Sequence, residues 1–600
     1  MLHSVIDTFN QQPGLKKALI ALIVVLVLNK TRSVVQANLL ASKLHKKAQE
    51  KRRQRDAQLA NEFTAPVEIA EEKKSLILNA SVTELLNLLN TDQITSEEIL
   101  KVYHSRAITH GLRLELIAES NYQEALYLAK QCDQKRKQTP IENRAELGNL
   151  FGIPISIKDS FIQKGLDSTC GQASLCFKPN TKDGELITLL KSRGAIPFIR
   201  SSVPQTLGII DTVNYIWGRG LNPWNNQRSI GGSSGGEGGL IASRCSPIGL
   251  GSDALGSIRI PASFCGICSF KPTAGRYCLR GHSQTGPYSR SKYSLIMANN
   301  GPLARNVDDV VLFTKELISE EGRTLDPAHP YVAWSEEKYQ AKKLRIGYVV
   351  TEEFFGASKA CRRAVQESVA ALKDLGYSVS EVKLPKFERM IALMVMITSS
   401  EGKGRGIFQC LSGEKPVQEL VPALKMRTLP DTLKKVICSF LKLIGKNRLS
   451  TILGNALEVT TEKYHELVGE YFEIRNDIYN FFTEHKFDAI VTPAMPLPAF
   501  KHGYGGDLGI ATCYNWIANC ANLPAGVVPV TKVKEGEDVY TAEDCIHQDS
   551  ISKKCQEAIQ GSVGMPVNVQ VLSLPWEDEK CLAVMKAIES KIKFNELPSL

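Results

Sequence analysis

No histidine occurs between His110 and His282. That interval holds the most unusual stretch of the chain, Gly231 to Arg259 (GGSSGGEGGLIASRCSPIGLGSDALGSIR), so a histidine-based triad is not local to it, although a distant histidine could fold against it. Other things are missing too. No Lys-Ser or Lys-Thr closes the run as a phosphate-binding loop requires, and four residues separate Gly251 from Gly256, which breaks the dinucleotide fingerprint. The fifteen cysteines have no regular spacing. Cys265 and Cys268 form a CxxC without a second pair or a histidine set at zinc distance, and between Phe264 and Phe270 they read as small core residues. No metal site and no cofactor are expected. Unpatterned cysteines point to reduced thiols and a cytosol-facing domain. No linker interrupts residues 80–590, which favours one large domain over several.

What the run does contain is Gly and Ser, with one Asp, one Glu and two Arg. Gly and Ser are poor helix formers and bury little, so no core helix is expected there. Turns that expose backbone amides and hydroxyls are expected instead. Those are the parts of an acyl-transfer site, a serine nucleophile and an oxyanion cradle. Gly231, Ser233 and Gly235 also satisfy G-x-S-x-G, the nucleophile elbow of α/β-hydrolases. The elbow follows a hydrophobic strand, however, and the preceding LNPWNNQRSI reads as a loop.

The chain also carries, in order, GIPISIKDSF, GLDSTCG, Asn222-Pro223-Trp224, GGSSGGEGG, GLGSDALGSIRIPASFCGICSFKPTAGR, GPLARNVDDV, TLDP, LPAGVVPVT and SVGMPVNVQ. In these segments, over roughly residues 75 to 590, it resembles the amidase signature family and, within it, the fatty acid amide hydrolases. The resemblance implies a Ser-Ser-Lys triad with Ser257 as nucleophile, Ser233 as the bridging serine and Lys158 as base. It implies hydrolysis of acylethanolamides and primary fatty amides to free fatty acid and amine through an acyl-enzyme, and a homodimer. The chemistry is coherent: a lysine accepts a serine proton only when neutral, and the apolar run around Lys158 should disfavour its ammonium.

By the same carry-over, the amides of Ala254, Leu255, Gly256 and Ser257 form the oxyanion hole, and Ser234, Ser252, Asp253 and Arg259 support the site. Leu255 departs from the family pattern, which has a small residue, usually Gly, at that place. A positive φ there would cost a leucine about 1–2 kcal/mol. Two alternatives therefore stay open: a lipid-amide binding paralogue with an impaired oxyanion hole, and an amidase of smaller amides or esters. Leu207, Ile209 and Phe408, apolar residues in matching segments, are expected to line an acyl channel.

Charge is unevenly placed. Residues 1–60 hold eleven Lys/Arg against three Asp/Glu, so nearly all of the net +10 sits at the N-terminus. The basic residues flank and follow the apolar run Ala18–Leu28, which suits an anionic membrane surface rather than nucleic acid. Eleven helical residues span only about 16 Å of a bilayer core of about 30 Å, so the flanks must extend the span. No small-x-small site follows the run, which favours a retained anchor over a cleaved signal. The Lys/Arg that follow predict a single-pass protein with its catalytic domain on the cytoplasmic side of an internal membrane, such as the endoplasmic reticulum.

Residues 429–453 have apolar residues at helical spacing (Leu433, Val436, Ile437, Phe440, Leu441, Ile444) among lysines. This reads as an amphipathic helix that either packs on the core or lies on a membrane. The family's membrane cap occupies the matching position, which favours the second.

The expected organisation is an N-terminal membrane anchor (1–34), a basic, charged and solvated helical linker (35–75), and a catalytic domain (76–600) with the cap at 429–453. Helical patterns fill 82–131. β-rich runs recur at 152–158, 195–200, 345–350, 488–493, 525–531 and 567–572 with helices between. The fold class is α/β, a central twisted mixed sheet covered by helices on both faces, with an N-terminal membrane helix.

Overall fold

The structure, a computed structural model, describes residues 13–63, 69–283, 295–296, 298–328 and 330–599. Residues 1–12 of the expected anchor lie outside the described residues.

An eleven-stranded mixed sheet forms the core. Its strands are β1 (Ile117–Ser120), β2 (Pro154–Lys158), β3 (Ile196–Ser201), β4 (Ile248–Asp253), β5 (Cys268–Lys271), β6 (Asn299–Ala304), β7 (Arg345–Tyr348), β8 (Ser378–Glu381), β9 (Ala489–Pro493), β10 (Ala525–Lys532) and β11 (Pro566–Leu572). They lie side by side in the order β1-β3-β2-β4-β6-β5-β10-β11-β9-β7-β8. Every residue of β2, β4, β6 and β11 is buried, so both faces of the sheet are covered there. At the edge, no residue of β8 is buried. Six strands coincide with the β-rich runs of the sequence. β1, β4, β5, β6 and β8 do not, being short or rich in Gly, Asn and Ser.

The Gly/Ser run corrects the expectation that it would stay in turns. It forms a helix, α2 (Gly235–Ala242), and strand β4, and its last residue, Arg259, opens a helix α3 (Arg259–Cys265). All eight residues of α2 are buried. Four interior glycines would cost an exposed helix about 1 kcal/mol each relative to alanine. Here they let α2 lie against backbone: a Cβ on Gly236 would stand 2.5 Å from Ser202 N and O. Missing side chains, not helix propensity, put this helix in the core.

The N-terminal segment is one continuous helix, α1 (Pro13–Glu62). Within Ile20–Glu62 a stretch of mean hydropathy 1.6 is apolar enough to cross a membrane by length and composition, and none of it is buried. The second half is not the solvated linker expected. Ala41, Leu44, Ala48, Arg55 and Leu59 are buried along one helical stripe. Lys51 Nζ lies 2.5 Å from Glu119 and 2.7 Å from Asp167, and Arg55 donates to the Ile117 carbonyl at 2.7 Å while lying over the Trp217 ring.

Three short helices follow one another here: α4 (Val421–Thr428), α5 (Asp431–Leu443) and α6 (Asn447–Gly454). The 429–453 segment is thus a helical hairpin with an inverted arrangement. Inside it, the buried Lys434 donates to the Ala456 carbonyl at 2.6 Å and to Asp431 at 3.0 Å. The buried Arg448 is ion-paired with Asp549 and donates to Ser552 at 2.9 Å. Outside it, Val436, Phe440 and Leu443 are 67%, 59% and 84% exposed. Leu433, Val436, Phe440 and Ile444 of the apolar stripe are exposed and do not pack on the core, while Leu441 is half-buried. A last helix, α7 (Cys513–Cys520), is buried almost throughout and backs the site.

Candidate active site

β2 is parallel to both its neighbours, pairing Ser156 with Gly249 of β4 and Lys158 with Ser201 of β3. The carboxyl ends of parallel strands open into a crevice where backbone groups are unpaired and ligands bind. Lys158 is the last residue of β2, and Ser252 and Asp253 are the last two of β4. Ser233 and Ser234 precede α2, and Ser257 precedes α3. The fold therefore gathers at one crevice residues that the sequence separates by up to a hundred positions.

Lys158 is fully buried. Its Nζ donates to Ser233 Oγ at 2.8 Å, to Ser252 Oγ at 3.0 Å and to the Ser252 carbonyl at 3.2 Å. Burial pulls its pKa down to about 7, against the opposing pull of Asp253 and other acidic groups. A lysine so placed can be neutral near pH 7 and accept a proton from a serine. The Ser234 amide donates to the Ser257 carbonyl at 3.0 Å, which seats the two serine segments side by side. Ser234 Oγ in turn donates to the Ser252 carbonyl at 3.2 Å. Ser257 is half-buried and faces the cavity described below.

Asp253 and Arg259 are both fully buried and form a two-pronged pair, with Arg259 Nε and Nη2 each 3.0 Å from a carboxylate oxygen. Burial alone would raise the Asp253 pKa. The Arg259 guanidinium and the Gly256 amide outweigh it and hold the carboxyl well below the usual range. Arg259 also donates to the Asn515 carbonyl, Asn519 Oδ1 and Gln570 Oε1 at 2.9, 2.7 and 2.6 Å. Asn515, Asn519 and Gln570 were not singled out from sequence. The only trace is the spacing of Asn515 and Asn519 along one face of α7.

The structure settles the backbone question at Leu255. Among the described residues with positive φ, the one in this turn is Gly256 (φ 107°), and Leu255 keeps an ordinary conformation. It corrects one expected oxyanion donor. The Gly256 amide is already donated to Asp253 at 2.7 Å, as is that of Ile258 at 3.1 Å. The amides of Ala254, Leu255 and Ser257 have no acceptor among the described residues and remain open to a ligand.

Rival groups are placed elsewhere. No strand lies in residues 220–232 just before Ser233, so the strand–turn–helix context of a nucleophile elbow is missing. His282 does fold near Lys158, but its Nε2 is hydrogen-bonded to Asn300, its ring packs on Phe161, and burial takes its pKa down to about 4. Lys271 is also buried, with its pKa lowered to about 7 by burial and then by Arg259, yet among the described residues its Nζ donates only to the Pro272 carbonyl. Glu237 on α2, another residue the sequence did not flag, accepts from Ser156 Oγ at 2.5 Å, and burial raises its pKa to about 7.

A cavity of about 490 Å³ opens from Ser257, Ala254 and Leu255. Leu207 and Ile209 line it as expected. Phe408 does not: it lies on the outer side of its helix, 46% exposed. Apolar character does not say which side of a helix faces inward. The hairpin side of the cavity is built by Met426 of α4, Leu441 of α5, and Leu449 and Ile452 of α6, and Trp516 of α7 also lines it.

A family model for amidases matches residues 98–582. Over 531 residues the chain is 32% identical to fatty-acid amide hydrolase 1 of Sus scrofa, covering 87% of this chain and 88% of that protein. Over 529 residues it is 28% identical to fatty acid amide hydrolase 1 of Caenorhabditis elegans, covering 86% of this chain and 89% of that one. In fold it is similar to a solved fatty acid amide hydrolase at a TM-score of 0.77 and 22% identity, over 92% of this chain and 96% of the other.

Proposed function

The chain belongs to the amidase family and is an amide hydrolase, and from that premise we propose that it cleaves fatty acid amides at a membrane through Ser257, Ser233 and Lys158. Neutral Lys158 takes the Ser233 proton while Ser233 takes that of Ser257. Ser257 Oγ then adds to the amide carbonyl. The amides of Ala254, Leu255 and Ser257 hold the resulting oxyanion. The proton returns from Lys158 through Ser233 to the amine nitrogen, the C–N bond breaks, and an acyl-enzyme remains for water to hydrolyse.

One observation carries the choice of substrate: a single largely apolar cavity runs from Ser257 to the inner side of a helical hairpin whose outer side is exposed and apolar. A water-soluble amide would need neither. A long-chain amide could pass from the bilayer into that cavity without crossing water. The uncovered apolar stretch of α1 and its basic flanks support a membrane anchor, with the catalytic domain on the cytoplasmic side. Ordinary backbone at Leu255 favours an active enzyme over a binding paralogue.

The test is release of free fatty acid from oleoylethanolamide and oleamide by the full-length protein in detergent. Turnover that disappears in Ser257→Ala is expected. Saturable binding of both amides without turnover would establish a binding protein instead.

A further inference from the structure

The walls of the cavity that opens from Ser257 are mostly apolar. Three charged side chains line it: Arg427 on α4, Asp507 and Lys554. Lys554 is ion-paired with Asp507, so those two cancel. Arg427 has no such partner. No hydrogen bond or ion pair to its guanidinium occurs among the described residues, and its Nε is buried with nothing to donate to. Only its backbone carbonyl is engaged, by Lys434 Nζ at 3.2 Å.

A guanidinium cannot shed its charge, and here only Nε is sealed off, so the terminal nitrogens stay open on the cavity side and can take a ligand anion. Its planar fork matches a carboxylate in a two-pronged contact. Favouring the carboxyl end of α4 does not account for its position, because the exposed Lys425 on the same last turn serves the helix dipole equally well.

We propose that Arg427 is the anion-binding residue of this cavity, and that the amphiphiles the cavity takes include carboxylates. The carboxylate has two possible sources: an acyl amide of an amino acid entering as substrate, or the free fatty acid leaving as product. The proposal rests on reading the Ser257 cavity as a lipid-amide site and adds a charged class to the neutral amides.

The experiment uses the full-length protein in detergent, with Arg427→Gln and Arg427→Lys beside the wild type. Equilibrium binding of radiolabelled oleate and of oleyl alcohol, equal in chain length, gives an affinity ratio that needs no turnover. Arg427→Gln is expected to lower the oleate-to-alcohol ratio about tenfold, as loss of one charge-assisted contact would, with Arg427→Lys between. The kinetics of N-oleoylglycine against oleamide then assign the source. A matching rise in the KM ratio places the carboxylate on the substrate. An unchanged KM ratio with weaker inhibition by oleate places it on the product. An oleate-to-alcohol ratio that is the same in all three proteins overturns the proposal. Failure of the wild type to hydrolyse any amide while it still favours oleate over the alcohol would count against the hydrolase reading alone.

Discussion

The ammonium nitrogen of Lys158 and the hydroxyl of Ser233 lie 2.8 Å apart in a site from which water is excluded on the lysine side. The lysine comes from the end of a central strand and the serine from the turn before a glycine helix. Neither segment could place its residue without the other: the strand fixes Nζ, and the side-chain-free helix lets the serine turn approach it.

A pH profile follows from this pair. Burial lowers the Lys158 pKa to about 7, so the ammonium that cannot act as base predominates below that value and the amine above it. The acylation rate should climb as pH rises through about 7 and level off. Lys158→Met should remove that limb and lower the rate about 10²- to 10⁴-fold, read by stopped-flow acylation across pH.

The same shift has a stability consequence of definite sign. Between about 7 and the ordinary lysine value of 10.5, the unfolded chain binds the proton that folded Lys158 does not. Stability contributed by this residue therefore rises with pH across that window. Urea titrations of wild type and Lys158→Met at pH 7.5 and 9 should show the wild type gaining relative to the variant.

Leu255 and Gly256 should respond in opposite ways to substitution. Gly256 has φ 107°, and a Cβ there would stand 2.8 Å from Asn515 Cβ, so Gly256→Ala should cost at least about 1–2 kcal/mol of stability and suppress labelling of the site. Leu255 has no such constraint and lines the cavity. Leu255→Ala should fold normally, keep its nucleophile and alter chain-length preference, measured on acyl amides of graded length.

Arg259 is paired with Asp253 where both are fully buried. Arg259→Met would leave a buried carboxylate without its counter-charge, an effect of about 3–5 kcal/mol. An unfolding free energy lowered by less than about 1 kcal/mol would show that Asn519 and the amides hold Asp253 unaided.

The hairpin's outward face should govern membrane contact and not folding. Val436→Glu together with Leu443→Glu should weaken sedimentation with anionic vesicles, tested in protein lacking the apolar part of α1. The melting temperature should stay the same, since both side chains are exposed.

How far the sequence speaks differs from element to element. β2, β3, β9, β10 and β11 announce themselves because runs of Val and Ile are what a strand buried on both faces needs. β4 (IGLGSD) and β6 (NNGPLA) carry the site and its support, yet their glycines and asparagines become strand residues only through neighbours already in place. α2 is invisible for the same reason: its glycines suit a helix only because backbone presses against it.

At the site, Lys158, Ser233 and Ser257 could be named because long motifs resemble a known family. Spacing alone could not join Lys158 to Ser233. The engagement of the Gly256 amide by Asp253, the outward turn of Phe408 and the unpaired Arg427 depend on side-chain direction, which no one-dimensional pattern states. The hairpin's helical period was legible. Which face it turns outward came from the family resemblance and not from the pattern itself, because the buried Lys434 and Arg448 that decide it resemble surface cations in sequence.

The most direct test is to treat the full-length protein with a long-chain fluorophosphonate and locate the adduct by peptide mapping. The account predicts modification at Ser257, abolished in Ser257→Ala, and much slower at pH 7.5 in Lys158→Ala and in Ser233→Ala. An adduct on Ser233, or labelling of Ser257 at the wild-type rate without Lys158, would contradict it.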